Sequence, residues 1–161
     1  MNRDVLTRST LACITTGLLC MLSPAQAVDV NFRGQLVESI PCEVNSGGLI
    51  EVNFDNVIIR GIDGVQYRQP VPYLITCTGL GSVRLRVQGT AVGFDNAAVV
   101  TDKTGLGIRI EQNGTPMRLN QPIPVDLATP PTLTAVPVAN PASPPVAGTF
   151  VARATIVADY Q

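Results

Sequence analysis

The sequence contains no histidine and no tryptophan, and aromatic residues make up only 4% of its 161 residues. Charged residues are also sparse, at 14%, and the formal net charge is −1. Without histidine the chain lacks the usual base of Ser-His-Asp sites and the commonest zinc ligand. The weak net charge provides no basic surface for nucleic acid or anionic membranes. We therefore expect no enzyme, no metal or other cofactor, no nucleic-acid partner and no small-molecule substrate.

The carboxylates do not suggest a catalytic pair. Glu43, Glu51, Asp55 and Asp126 are scattered through segments that alternate like strands or resemble loops. A glycosidase needs two carboxyl groups at a fixed separation, and nothing in this spacing brings two of them together. We expect all four side chains to lie on the solvated surface, because such residues are rarely buried.

The first 27 residues have the layout of a secretory signal peptide. Two arginines precede the apolar run LACITTGLLCML, and SPAQA supplies the small residues of a cleavage site after Ala27. The apolar run is shorter than the roughly 20 residues that a membrane span requires. A lipoprotein attachment at Cys20 is the weaker alternative, because Leu19 stands where a small residue is wanted. We therefore expect an exported mature chain of residues 28–161.

Two of the four cysteines would leave with the signal peptide, and Cys42 and Cys77 would remain. An even pair in an exported chain most simply forms one disulfide. A redox or metal-binding pair is the alternative, but the chain has neither a Cys-x-x-Cys motif nor a histidine. We expect a structural disulfide.

Apolar and polar residues alternate with the period of two that is typical of strands along most of the chain. The turn dipeptide Asn113-Gly114 predicts a tight hairpin, because both residues tolerate positive φ. No window of eleven or more residues shows helical spacing, so we expect an antiparallel sandwich of immunoglobulin type. The segment 121–146 holds most of the 13 prolines and predicts edge strands and stiff loops. The alternating segments are 28–36, 49–59, 70–77, 82–89, 105–114, 132–138 and 149–160.

The two ends of the expected mature chain each carry an apolar row without an obvious partner. The first row consists of Val28, Val30, Phe32, Gly34 and Leu36. The last consists of Phe150, Ala152, Ala154, Ile156, Ala158 and Tyr160. Each can be an ordinary strand of a self-contained domain. Alternatively, the last strand borders an unfilled position that a partner's strand covers, and the glycine in the first row suits a close backbone approach.

Four motifs in order resemble the pilins of the chaperone–usher pathway, especially the minor subunits of P and type 1 pili. VDVNFRGQLVESIPC is similar to the amino-terminal extension and first strand of such subunits. Cys42 and Cys77 match the family disulfide, and TGLGIRI is similar to a mid-domain motif. PVAGTFVARATIVADYQ matches the carboxyl motif, in which Gly148 is fourteenth from the end and Tyr160 is penultimate. The resemblance covers the whole mature chain.

The resemblance implies an incomplete immunoglobulin-like β-sandwich that lacks its last strand and is completed by donor-strand complementation. Residues 28–36 would be the donor extension, and residues 37–161 the pilin domain. Gly148 and the strand 149–160 would form one wall of the open groove, and residues 36–44 the other. A periplasmic chaperone would fill this groove first. At the outer-membrane usher, the extension of a neighbouring subunit would replace the chaperone.

The implied function is that of a structural minor subunit, an adaptor or tip-fibrillum component, in a fimbrium that supports adhesion at the bacterial surface. A receptor-binding adhesin is one alternative, but such proteins carry an extra domain, for which there is no room between Ala27 and Cys42. A self-contained secreted sandwich, acting as a binding protein, enzyme or inhibitor, is another. Such a domain would be a stable monomer without any partner.

Overall fold

The computed structural model describes residues 31–34, 42–78 and 82–160. The chain divides into a unit Met1–Gln35 and a larger unit Leu36–Gln161, which holds all the described strands. The described ranges contain no α-helix, and none of their helical turns is long and apolar enough to cross a membrane. The strands are β1 (Cys42–Val44), β2 (Gln69–Pro70), β3 (Ile75–Cys77), β4 (Val83–Gln88), β5 (Ala91–Val92), β6 (Asp95–Val100), β7 (Leu106–Gln112), β8 (Thr115–Pro116), β9 (Ile123–Val125), β10 (Leu133–Ala139) and β11 (Thr155–Tyr160).

The strands form two main sheets and one small sheet, all with antiparallel neighbours. The larger sheet has the order β2–β10–β7–β6–β5, and β8 pairs with β7 beside this path. The second has the order β11–β4–β9, and β1 pairs with β3. The all-β architecture predicted from the alternation is confirmed.

The core lies between the inward faces of these sheets. In β4, Val83, Leu85 and Val87 are buried and Arg84 is exposed, as the alternation predicts. Buried residues of β6, β7 and β10 meet this row from the other sheet. Each large apolar side chain removed from water contributes about 1.5–3 kcal/mol. The two-sided core therefore supplies much of the stability of the sandwich.

The predicted disulfide is confirmed. Cys42 and Cys77 lie directly opposite each other in the β1–β3 pair, with their Cα atoms 4.3 Å apart. The bond joins residues 35 positions apart in the sequence. It fixes β1, a strand of only three residues, at the start of the larger unit.

The hairpin predicted at Asn113-Gly114 is also confirmed. The two residues connect β7 to β8 with φ angles of 50° and 80°. The Asn113 side chain accepts a hydrogen bond from the backbone N–H of Thr132 at 2.9 Å. The turn is thereby tied to the start of β10.

One expectation for the proline-rich segment is wrong, because β10 is an interior strand that contains Pro137. β10 pairs with β7 along all seven of its residues, but β2 reaches only Thr134 and Ala135 on its other side. The nitrogen of Pro137 faces the side on which β2 has already ended. The missing N–H therefore costs no ladder hydrogen bond.

The outward face of β7 carries a buried ionic cluster. Glu111 is only 2% exposed, and its carboxylate accepts hydrogen bonds from Arg68 at 2.9 Å and from Arg109 at 2.9 Å. Arg109 also donates to the carbonyl oxygen of Gly64, whose φ is +76°. This positive φ favours glycine at position 64, and a Cβ there would also lie 3.0 Å from the Arg109 guanidinium. The cluster fixes the loop before β2 against the sheet.

The same loop turns at Asp63. Its exposed carboxylate accepts hydrogen bonds from the backbone N–H groups of Gln66 at 2.7 Å and Val65 at 2.8 Å. These bonds, the one from Gln66 foremost, lower the pKa of Asp63 because they favour the charged form. The turn brings Arg68 back toward β7.

Candidate functional site

The described residues contain an open groove of about 850 Å³ between two extended segments. Wall A is the segment 47–54, which follows β1, and wall B is the segment 150–156, which leads into β11. Val44 of β1 also lines the groove. No group of three or more residues suited to hold a metal ion lies in the described ranges.

Wall A has the alternation of a strand but pairs with no strand of the described residues. Ile50, Val52 and Phe54 are half-buried, whereas Glu51 and Asn53 are exposed. Val52 and Phe54 pack against the core. Among the described residues, none forms a backbone hydrogen bond with residues 49–56. The predicted strand at 49–59 therefore forms its inward row but no ladder, and this part of the prediction is wrong.

Wall B changes sheets along its length. Ala152 bridges Thr101 just after β6, and the Val151 N–H donates to the Asp102 carboxylate at 2.8 Å. From Thr155 onward the chain pairs with β4 instead. The single strand predicted for 149–160 is thus shorter, because its first half crosses from one sheet to the other.

The floor of the groove is the core of the sandwich. Val87 of β4, Val99 of β6 and Leu133 of β10 line it, although each is at most 2% exposed. Phe54 of wall A and Phe150 of wall B approach with their ring centroids 6.0 Å apart. The remaining floor residues are Val71, Ile108, Ile110 and Ala135. An apolar strand in the groove would therefore contact the core directly.

Below the floor, Tyr73 packs against the core and donates a hydrogen bond to the carbonyl oxygen of Pro131. Burial raises the pKa of Tyr73, because the charged phenolate is disfavoured away from water.

Among the residues that line the groove, the exposed polar ones lie on the outward positions of the walls, such as Glu51 and Arg153. The groove has the character of a binding surface for apolar side chains.

The structure separates the predicted groove residues into two sets. Phe150, Ala152, Ala154 and Ile156 line the groove together. Gly148, Ala158 and Tyr160 lie outside the lining. Gly148 has a φ of +143°, which side chains rarely adopt, so it shapes the approach to wall B.

The predicted donor row falls mostly outside the described residues. Val28, Val30 and Leu36 are not described, and neither is the signal segment 1–27. Phe32 is described, and its side chain is 92% exposed. A Cβ at Gly34 would meet no atom within 4 Å.

The second wall predicted at residues 36–44 is only partly described. Val44 belongs to the predicted wall 36–44 and lines the groove, but residues 36–41 are not described. The structure adds wall A, which follows that segment. The alternation of wall A is visible in the sequence. An alternating pattern does not indicate, however, whether a strand has a hydrogen-bonded neighbour.

Comparisons with known proteins agree with this geometry. The family model described as "Fimbrial protein" matches residues 30–161. The uncharacterized fimbrial-like proteins YfcQ and YfcR of Escherichia coli K12 are 33% and 32% identical. The match to YfcQ covers 94% of this chain and 96% of the relative, and the match to YfcR covers 94% and 91%.

Solved structures show the same fold. The P pilus adaptor subunit PapF matches with a TM-score of 0.58 and 26% identity, over 77% of this chain and 98% of that one. The P pilus rod subunit PapA also matches with a TM-score of 0.58, at 20% identity, over 83% and 100% of the two chains. The fold is therefore the immunoglobulin-like sandwich of pilins. The chain belongs to the fimbrial protein family, and it is a structural pilin of the chaperone–usher type rather than an enzyme.

Proposed function

We propose that this chain is a minor fimbrial subunit, an adaptor or tip-fibrillum component, that polymerises by donor-strand exchange. The groove carries the proposal, because its floor is the core and wall A has no backbone partner among the described residues. A strand lying between the walls would supply both hydrogen bonds and apolar side chains. The 26% identity to an adaptor subunit supports the adaptor role.

Residues 28–36 of the chain have the alternating apolar row that a donor strand for a neighbouring subunit needs. Burying the four large apolar side chains of its row contributes about 6–12 kcal/mol gross, at about 1.5–3 kcal/mol each. Ladder hydrogen bonds add about 0.5–1.5 kcal/mol each. Ordering the donor segment offsets part of this gain. The balance favours a tight joint.

In this scheme a signal peptide of residues 1–27 directs the chain to the periplasm, where a pilus chaperone fills the groove. At the outer-membrane usher, the donor segment of a neighbouring subunit replaces the chaperone strand. The chain's own residues 28–36 then complete another subunit, and residues 37–161 form the accepting domain. The assembled fimbrium supports adhesion at the bacterial surface.

Binding of a strand peptide tests the groove. The mature chain is refolded with labelled synthetic extension peptides from the other subunits of the same fimbrium, and complex formation is followed by fluorescence anisotropy. Ala154→Leu places a larger side chain on wall B and should weaken binding about tenfold or more, which corresponds to 1.4 kcal/mol. Ala142→Leu, on an exposed loop outside the groove, should bind like the parent. Equal binding by all three proteins would contradict the proposal.

A displacement experiment tests the chaperone step and the choice of neighbour. The subunit is purified with its chaperone and mixed with extension peptides from the other subunits of the same fimbrium. The peptides that release the chaperone identify the neighbours that insert into this groove. A subunit that purifies as a stable monomer with no chaperone and takes up no peptide would favour the self-contained sandwich instead.

A further inference from the structure

Three outer strands of the sandwich each contain an exposed proline. Pro70 lies in β2, Pro116 in β8 and Pro124 in β9, and all three are exposed. β2 and β9 end their sheets, and β8 lies beside the path of the larger sheet. Outer strands are the positions at which a foreign strand can add, because their outward N–H and C=O groups have no neighbour. The direction of each proline nitrogen decides whether that addition is possible.

In β2 the nitrogen of Pro70 faces outward. The N–H of Val71 donates to the carbonyl oxygen of Leu133 in β10 at 2.9 Å, so the Val71 nitrogen faces the sheet. Successive residues of an extended strand direct their N–H groups to opposite sides. Pro70 therefore occupies an outward position, where an N–H would otherwise be available to a new strand.

The same reasoning applies to β8 and β9. Met117 donates its N–H to Ile110 of β7 at 2.8 Å, so the nitrogen of Pro116 faces away from β7. In β9, Pro124 lies between two residues that pair with β4. The ladder continues through this position because a proline nitrogen on the outer side removes no bond to β4.

β5 is the remaining outer strand of the larger sheet, and a different feature hinders the addition of a foreign strand there. Its register with β6 shifts between Ala91 and Val92, which marks a bulge or irregularity. Bulges twist a strand out of line with an incoming neighbour. The groove walls show the opposite composition, because residues 42–69 and 146–161 contain no proline at all. Proline therefore removes no backbone N–H from either wall.

We infer that Pro70, Pro116 and Pro124, called here the edge prolines, confine strand addition to the groove. They remove outward donors from the outer strands, whereas the groove walls keep theirs. A subunit that presents an extended apolar segment to its neighbours at high local concentration needs such a restriction. Without it the same segment could pair with any open edge and give branched aggregates.

The inference goes beyond the proposed function and is tested with the groove filled. The mature chain and its triple variant Pro70→Thr, Pro116→Thr, Pro124→Thr are each saturated with the synthetic extension peptide of a neighbouring subunit. Light scattering after size exclusion should show a 1:1 complex for the parent. The triple variant should self-associate roughly tenfold more strongly, because each outer strand regains a ladder donor. The single variant Pro130→Thr, which changes an exposed loop proline, should behave like the parent.

Hydrogen exchange locates the new contacts. Protection of β2, β8 and β9 in the associated triple variant supports the inference. A triple variant that remains monomeric, or one that associates without protection of these strands, overturns it. Failure of the parent to bind the peptide would instead count against the proposed function. In that case the two proteins are compared without peptide, and greater association of the triple variant through these three strands still supports the role of the edge prolines.

Discussion

At the scale of single residues, the buried Glu111 shows how much stability can depend on one polar group. Its carboxylate lies between the guanidinium groups of Arg68 and Arg109, and Asp95 lies 3.9 Å from the latter. Charges buried in this way are tolerated only when their hydrogen bonds are satisfied. The cluster attaches the loop before β2 to the outward face of β7, on the side opposite the groove.

Substitution of Glu111 should therefore be costly. Glu111→Gln keeps the shape but removes the charge that faces two cations. We expect a loss of about 3 kcal/mol in the free energy of unfolding. This value is at the lower end of the range for breaking a buried ion pair, because Arg68 is partly exposed. Urea unfolding of the peptide-filled domain measures it. Glu43→Gln, on the exposed side of β1, should change little, and equal losses in both variants would contradict the assignment.

Gly34 provides a residue-scale test of the donor segment. A Cβ at this position meets no atom of the described residues within 4 Å, so Gly34→Leu should leave the fold of its own chain unchanged. In a neighbour's groove the added side chain would face the floor, where a close backbone approach is expected. The variant should keep its chaperone complex and still accept a wild-type peptide.

The Gly34→Leu variant should fail to insert into the next subunit. Loss of oligomer bands in an assembly reaction that is monitored by gel electrophoresis would show this failure. Gln35→Leu changes the neighbouring residue of the outward row and serves as the matched control. Oligomers formed normally by Gly34→Leu would show that the glycine has no role in insertion.

At the scale of the elements, the disulfide connects the shortest sheet to the groove. β1 has three residues and pairs only with β3 among the described strands. Wall A follows β1 after a tight turn in which Asn45 and Ser46 have positive φ. Asn45 also accepts a hydrogen bond from the N–H of Leu74 at 2.6 Å. The position of wall A thus depends on a short strand held by one covalent link.

Removing that link should affect both stability and binding. The variant Cys42→Ser, Cys77→Ser should lose about 3–4 kcal/mol in the free energy of unfolding, the loop-closure value for a separation of this size. Chemical denaturation measures the loss. Because β1 anchors wall A, hydrogen exchange should rise in residues 42–54 before it rises in β4 or β7. Uniformly faster exchange in all strands would show that the disulfide stabilises the domain as a whole and does not position wall A.

The elements also show what the sequence can predict. The buried apolar rows of β4 and β7 are predicted by the alternation of their sequences. The turn at Asn113-Gly114 is predicted by the tolerance of both residues for positive φ. Wall A alternates equally well, yet it forms no ladder with any other described segment, because pairing depends on a partner that the pattern does not contain. The burial of Glu111 was not predicted either, since its partner Arg68 is 43 residues away.

At the scale of the whole molecule, the groove makes the stability of the domain dependent on its occupant. The floor residues Val87, Val99 and Leu133 belong to the core and are also reached from the groove. An open groove leaves the half-buried side chains beside this floor, such as Phe54 and Phe150, without a covering strand. The domain with an open groove should therefore be less stable than the domain with a filled one.

A strand that binds only the folded domain must raise the stability of that domain by mass action. When the extension peptide of a neighbouring subunit is present at about 100 times its dissociation constant, the gain should be about 2.7 kcal/mol. For a domain of this size, 1 kcal/mol shifts the melting temperature by about 2–4 °C or more, so the peptide should raise it by roughly 5–10 °C. Scanning calorimetry at increasing peptide concentration measures the shift. A scrambled peptide of the same composition tests its dependence on the alternating row, because scrambling places polar side chains against the floor. An unchanged melting temperature with the native peptide, or an equal rise with the scrambled one, would show that the domain is complete by itself.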